Sequence, residues 1–181
     1  MTTTVLVFHP DISTSRVNAA LAKAAEATTG VEVRDLYKLY PDFTIDIGTE
    51  QKTLEAADRI VFQFPMYWYS TPPLLKKWQD DVLTYGWAYG STGKALNGKE
   101  LGIAVSPGSP GEKYQRDGSY HYTVTELLRP LQAVSNLIGT RYVTPFITAG
   151  SMSLGTDDLT AQAAAYQTWL TSELGTVGEL E

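Results

Sequence analysis

Three stretches concentrate the residues that could do chemistry in this chain. The first, His9-Pro10-Asp11-Ile12-Ser13-Thr14-Ser15-Arg16-Val17-Asn18, carries hydroxyls and an asparagine into the start of a helix-like segment. Exposed backbone N–H groups and a partial positive charge make such a start a phosphate site. His9, Ser15, Arg16 and Asn18 could add donors, although Ser13 or Ser15 reads equally well as a plain helix cap. The second stretch, Pro65-Met66-Tyr67-Trp68-Tyr69-Ser70-Thr71-Pro72-Pro73, sets three aromatics in a row between prolines. Successive rings cannot all enter one core. They form either a wall suited to a flat ring system or ordinary packing at a helix start or subunit interface. The third, Ser106-Pro107-Gly108-Ser109-Pro110-Gly111-Glu112-Lys113-Tyr114, is dense in turn formers, and its glycines let backbone approach a ligand closely. Tyr114, Tyr120, His121 and Tyr122 then cluster, offering donors to a developing negative charge, unless the segment is a polar surface loop.

Several other chemistries are excluded or disfavoured. With no cysteine there are no thiolate nucleophiles, disulfides, iron–sulfur clusters or cysteine zinc sites. The two histidines, His9 and His121, lie far apart without carboxylate-rich spacing, so no metal site is expected. Neither GxGxxG nor GxxxxGK[ST] is present, and no GxSxG elbow. The Asp80-Asp81 pair reads as a solvated face. A net charge of −6 argues against nonspecific nucleic-acid binding and against a strongly anionic membrane surface. An anionic cofactor must therefore be held by local donors. The first eight residues lack a signal-peptide pattern and no apolar run reaches transmembrane length, so no integral membrane segment and a cytoplasmic location are expected.

Apolar, β-branched runs alternate with helix-like segments along the 181 residues. Strands are expected at 4–8, 31–36, 59–64, 101–106 and 141–148. Helices are expected at 15–28, 50–57, 72–83, 123–138 (broken near Pro130) and 157–174, with a loose tail from 175 to 181. This alternation predicts an α/β fold: one domain over 1–181, with a doubly wound, five-stranded parallel sheet covered by helices on both faces. The flavodoxin-like order 2-1-3-4-5 suits it best, and pattern alone leaves a Rossmann arrangement open. The three loops then meet at the carboxyl ends of strands one, three and four.

Leu39-Tyr40-Pro41-Asp42-Phe43, the run from Phe64 through Pro65-Met66-Tyr67-Trp68-Tyr69-Ser70-Thr71-Pro72-Pro73 to Lys76, and Gly86-Trp87-Ala88-Tyr89-Gly90 carry a resemblance. So do Leu127-Leu128-Arg129-Pro130-Leu131-Gln132 and Pro145-Phe146. Across nearly its whole length the chain resembles the flavodoxin-like NAD(P)H:quinone oxidoreductases, especially the ancillary proteins of glutathione-gated potassium efflux systems. The resemblance implies a bound FMN (FAD in some members) and NAD(P)H as hydride donor. It also implies a quinone acceptor served by the same site in ping-pong fashion. It further implies a homodimer, with residues 86–98 as candidate interface, and a potassium efflux transporter as partner, placing the protein at the inner face of the cell membrane. By that likeness His9, Ser15, Arg16, Val17 and Asn18 hold the flavin phosphate and ribityl chain. Met66, Tyr67, Trp68 and Tyr69 border the isoalloxazine ring, and Ser106, Pro107, Gly108 and Ser109 follow its pyrimidine edge. Tyr114 stands beside the flavin, and Tyr120 or His121 takes the place of a second hydrogen-bonding residue. The family often has Thr-Thr-Gly-Gly where this chain has Ser106-Pro107-Gly108-Ser109, and Pro107 cannot donate a backbone hydrogen bond. The resemblance leaves two rival roles: a regulatory transporter subunit, and a one-electron flavodoxin-type carrier.

Overall fold

Buried on both faces, the central strands read as unbroken apolar runs, which is the signature of a parallel sheet under two helical layers. A computed structural model describes residues 1–178. Its strands β1 (Thr3–Val7), β2 (Val31–Asp35), β3 (Arg59–Pro65), β4 (Glu100–Ser106) and β5 (Arg141–Tyr142) lie parallel in the order β2-β1-β3-β4-β5. The expected order is thus observed. A sixth, two-residue strand, β6 (Phe146–Ile147), also pairs with β4. Sequence reading gave one strand over 141–148. Pro145, which has no N–H, interrupts it, and Thr144 instead donates to Gly175 O at 2.8 Å.

The helices are α1 (Arg16–Glu26), α2 (Leu36–Leu39), α3 (Ile47–Ala56), α4 (Pro73–Val82), α5 (Val124–Leu127), α6 (Arg129–Ile138) and α7 (Thr156–Thr171). The expected break near Pro130 is real: α5 opens with a capping box at Thr123 and stops at Leu127, and Pro130 sits in the first turn of α6. One sheet face places Leu6, Phe62, Ile103 and Val105 against Leu74, Trp78 and Leu131. The other places Val5, Val7, Val61 and Ala104 against Val17, Leu21, Tyr166 and Leu170. Asp80 and Asp81 sit on the outer side of α4 in i,i+4 pairs with Lys76 and Lys77, as a solvated face should.

Two further expectations need correction. Residues 175–178 are not loose: Thr176 bridges Val143, and Val177 packs on the core. The rest of that tail, 179–181, lies outside the described residues. In addition, α3 begins at Ile47, capped by Asp46, so Glu50 is not its start. Glu50 is fully buried, where Arg34 and Tyr40 bond one carboxylate oxygen and Trp78 Nε1 the other, at 3.0 Å.

The amino ends of the strands are closed by charge pairing. Arg59, fully buried, donates to Glu100 at 2.6 Å and to the carbonyls of Trp169, Leu170 and Ser172 at 2.7–2.9 Å. It thereby satisfies the open carbonyls where α7 ends, while Arg141 pairs with the other oxygen of Glu100.

Candidate functional site

The carboxyl ends of β1, β3 and β4 bring the three loops together. Phe8 N–H donates to Gln63 O at 2.8 Å, pairing the chain after β1 with β3 just ahead of the first two loops, and Met66 N–H donates to Ser106 O at 3.2 Å, joining the second loop to the third. Beneath them, Asn18 Nδ2 donates to Ser106 Oγ at 2.8 Å and Gln63 Nε2 to Asn18 O at 2.9 Å. Asn18 Oδ1 and Gln63 Oε1 are buried and, among the described residues, lack hydrogen-bond partners.

In the first loop, Asp11 caps a single 3-10 turn (Ile12–Thr14) and Ser15 caps α1, accepting from Asn18 N–H at 3.0 Å. Ser15 is therefore a helix cap, as one of the two readings had it. The cap leaves the N–H groups of Arg16 and Val17 outside the helix's own bonding, at the positive end of its dipole. Arg16 is exposed, whereas Val17 packs its side chain into the core. His9 Nδ1 accepts from Asp11 N–H at 3.2 Å, and desolvation holds its imidazole below the usual histidine range. The neutral ring therefore carries its proton on Nε2, free to donate.

The second loop is a strained turn. Tyr67 and Ser70 exchange backbone hydrogen bonds at 3.1 and 2.9 Å, with Trp68 and Tyr69 between them at φ +48° and +62°. Left-handed backbone suits Gly or Asn and costs a bulky aromatic about 1–2 kcal/mol. Trp68 is 92% exposed, so no packing offsets that cost at Trp68 itself. Strain left uncompensated in the free protein is a mark of function. Met66 is half-buried below the turn.

The third loop is held in place from outside. The carbonyls of Pro107, Gly108 and Ser109 accept from the N–H groups of Ser151 (3.1 Å), Met152 (3.4 Å) and Gly150 (2.8 Å). Ser109 Oγ pairs with Tyr120 OH at 2.8 Å, and the Tyr120 ring meets Tyr114 and Tyr69 edge-on at 4.9 and 5.6 Å. Burial pushes the Tyr114 phenol above its ordinary value, opposed by the nearby Ser109 amide and hydroxyl, so it remains a donor at neutral pH. Beside the cluster, Tyr69, Ser119, Tyr120, Tyr122 and Leu127 line a cleft of about 350 Å³.

The structure thus groups Tyr114, Tyr120 and Ser109 with Tyr69. His121 stays apart: it is exposed, at φ +61°, with Nδ1 3.4 Å from Arg116 O. Between the two positions proposed for a second hydrogen-bonding residue, the geometry favours Tyr120. Sequence reasoning missed Gln63 and residues 150–152. A glutamine inside the apolar run Arg59–Pro65 was the signal for the first. The turn-rich stretch that follows the last strand was the signal for the second.

Residues 1–171 match a family model described as flavodoxin-like fold. General stress protein 14 of Bacillus subtilis is 56% identical over 88% of this chain and 91% of its own length. The uncharacterized NAD(P)H oxidoreductase YrkL of the same organism is 46% identical over 96% and 99%. The glutathione-regulated potassium-efflux system ancillary protein KefF of Salmonella typhimurium is 44% identical over 90% and 92%. Among solved structures, one described as a thermophilic tryptophan halogenase from Streptomycin violaceusniger aligns with TM-score 0.92 at 52% identity (94% and 99% covered). General stress protein 14 of Treponema denticola in complex with FMN aligns with TM-score 0.89 at 41% identity (94% and 98% covered). An NADPH-quinone reductase of P. pentosaceus aligns with TM-score 0.87 at 34% identity (98% and 100% covered). With its strand order, its crevice and these relatives on one line, the chain belongs to the flavodoxin-like family.

Proposed function

We propose that this chain is an FMN-dependent NAD(P)H:quinone oxidoreductase working as a single domain within a homodimer. One observation carries the reading. A helix start with unused N–H groups, a strained aromatic turn and a loop pinned by its carbonyls converge on one crevice over two unpartnered buried acceptors. A flavin mononucleotide fits that set. The Arg16 and Val17 N–H groups, His9 Nε2 and the Arg16 guanidinium suit its phosphate. Asn18 Oδ1 is an acceptor suited to a ribityl hydroxyl. Tyr67, Trp68 and Tyr69 offer a wall for the ring, while Gly108 and Ser109 offer N–H donors to its acceptor edge. The FMN complex of the Treponema relative supports FMN over FAD. Names such as NAD(P)H oxidoreductase and NADPH-quinone reductase among the relatives support the substrates. Nothing in the crevice favours halogenation, the chemistry named for another neighbour.

When bound, FMN would supply two-electron hydride chemistry between NAD(P)H and a quinone. The protein's own part is electrostatic and positional. Tyr114, kept protonated by burial, would donate toward charge developing on the ring edge, with Ser109 beside its phenol and the Tyr120 ring packed against its own. The aromatic turn would keep water from one side of a bound ring. In FMN-loaded protein, varying NAD(P)H and a simple quinone is expected to give parallel double-reciprocal lines, the mark of a ping-pong cycle. Tyr114→Phe is expected to slow flavin reduction by about tenfold or more while FMN stays bound. Intersecting lines, or FMN-loaded protein that oxidises no NAD(P)H, would contradict the proposal.

The 44% identity to KefF supports a second role for the same protein, docking on the cytoplasmic part of a potassium efflux transporter at the inner membrane face. Co-purification with such a transporter tests it. Residues 86–98 are proposed as part of the homodimer surface. Gly86 N–H closes on Tyr89 O at 2.9 Å, Trp87 anchors to Glu55 at 2.7 Å, and Tyr85 is left exposed.

A further inference from the structure

We infer that residues Gly150, Ser151 and Met152 are positioning residues that fix the direction of the third loop's donors and so set the reduction potential of the group bound there. The inference rests on the flavin reading above. Peptide units are planar and, among the described residues, all trans. Each carbonyl therefore points opposite to the N–H of the following residue. Because Ser151 and Met152 hold the carbonyls of Pro107 and Gly108 on the outer side, the N–H groups of Gly108 and Ser109 must point the other way. The Ser109 amide lies near the Tyr114 phenol, which places that other side at the tyrosine cluster. Among the described residues, Gly108 N–H has no hydrogen-bond partner.

The prolines complete the arrangement. Pro107 and Pro110 have no N–H, so Pro107-Gly108-Ser109-Pro110 has only two backbone donors, and both turn inward. The carbonyls of Pro107, Gly108 and Ser109 are all occupied by the brace, so these three residues offer the crevice no backbone acceptor. Such a loop selects a ligand edge made of acceptors and favours it more as that edge gains negative charge. The departure at Pro107 thus narrows what the loop recognises. It does not merely remove a contact.

Gly150 makes the brace possible. It sits at φ +74°, and a Cβ there would meet Pro110 Cα at 3.7 Å, an ordinary contact. Backbone conformation, not space, is what excludes other side chains. Met152 adds a cover: a Cβ on Gly108 would come within 3.1 Å of its sulfur, so the loop and brace are in close contact.

The test compares Gly150→Val, which strains the left-handed backbone, with Gly150→Asn, which tolerates it. FMN affinity is read by fluorescence titration and the bound flavin's midpoint potential by redox titration. Gly150→Val is expected to weaken FMN about tenfold and to lower the potential by about 30 mV, the two-electron equivalent of a tenfold loss of preference for the reduced form. Gly150→Asn is expected to match the wild type in both. Unchanged affinity and potential in a folded Gly150→Val protein would overturn the brace. Should that variant fail to fold, Gly150→Ala is titrated in its place and judged by the same two numbers. Wild-type protein with no affinity for FMN would overturn the flavin reading itself, an outcome separate from an unmoved variant.

Discussion

The two ends of the sheet are built on opposite terms. At the amino end, buried Arg59 has each bonding nitrogen occupied, Glu100 is shared between two arginines, and the carbonyls closing α7 are satisfied. At the carboxyl end, among the described residues, two buried acceptors lack partners, Gly108 N–H is unused, and two bulky aromatics hold left-handed backbone. Single unpartnered buried atoms also occur elsewhere, at Arg34 Nε, Gln79 Nε2, Tyr142 OH and Tyr166 OH, but not gathered in one place. Satisfied polar groups stabilise a fold, whereas open donors, open acceptors and strain gathered at one place mark a site that a ligand can complete. The contrast agrees with the site proposed above, since ligands of open α/β sheets sit beyond the carboxyl ends of the strands.

The contrast can be pressed from both sides. The largest effect is expected at the amino end. Arg59→Met leaves Glu100 half-paired and strands three carbonyls, and is expected to cost about 3–5 kcal/mol in urea unfolding. FMN affinity of the folded fraction is expected to stay unchanged; a parallel loss of affinity would show that the ends are coupled. A smaller effect of opposite sign is expected at the carboxyl end. Trp68→Gly relieves a φ of +48° at an exposed side chain, so the free protein is expected to gain about 1 kcal/mol while FMN binds more weakly. A variant that loses stability, or keeps full FMN affinity, would show that the turn is not strained for binding.

Much of this was legible in the sequence, for definite reasons. Strands buried on both faces announce themselves as apolar runs, and Pro65 with Pro72–Pro73 marks where the second loop begins and α4 starts. Crossings of a parallel sheet then fix which loops share an end. What stayed hidden depends on partners distant in sequence. Glu50 reads only as the start of a helix, yet Arg34, Tyr40 and Trp78, all distant in sequence, enclose its carboxylate. The Gly150–Met152 brace is turn chemistry whose partners cannot be named from its own residues. His121 and Tyr120 are adjacent in sequence, and only backbone conformation separates the exposed imidazole from the phenol that joins the cluster. The split of the last strand at Pro145 follows a rule available from the start.

The most direct test is amide hydrogen exchange with and without FMN. The account predicts slowed exchange at residues 15–18, 66–70 and 108–109, with no change at Arg59, Glu100 or Arg141. Protection confined to the amino end, or no FMN-dependent protection anywhere, would contradict it.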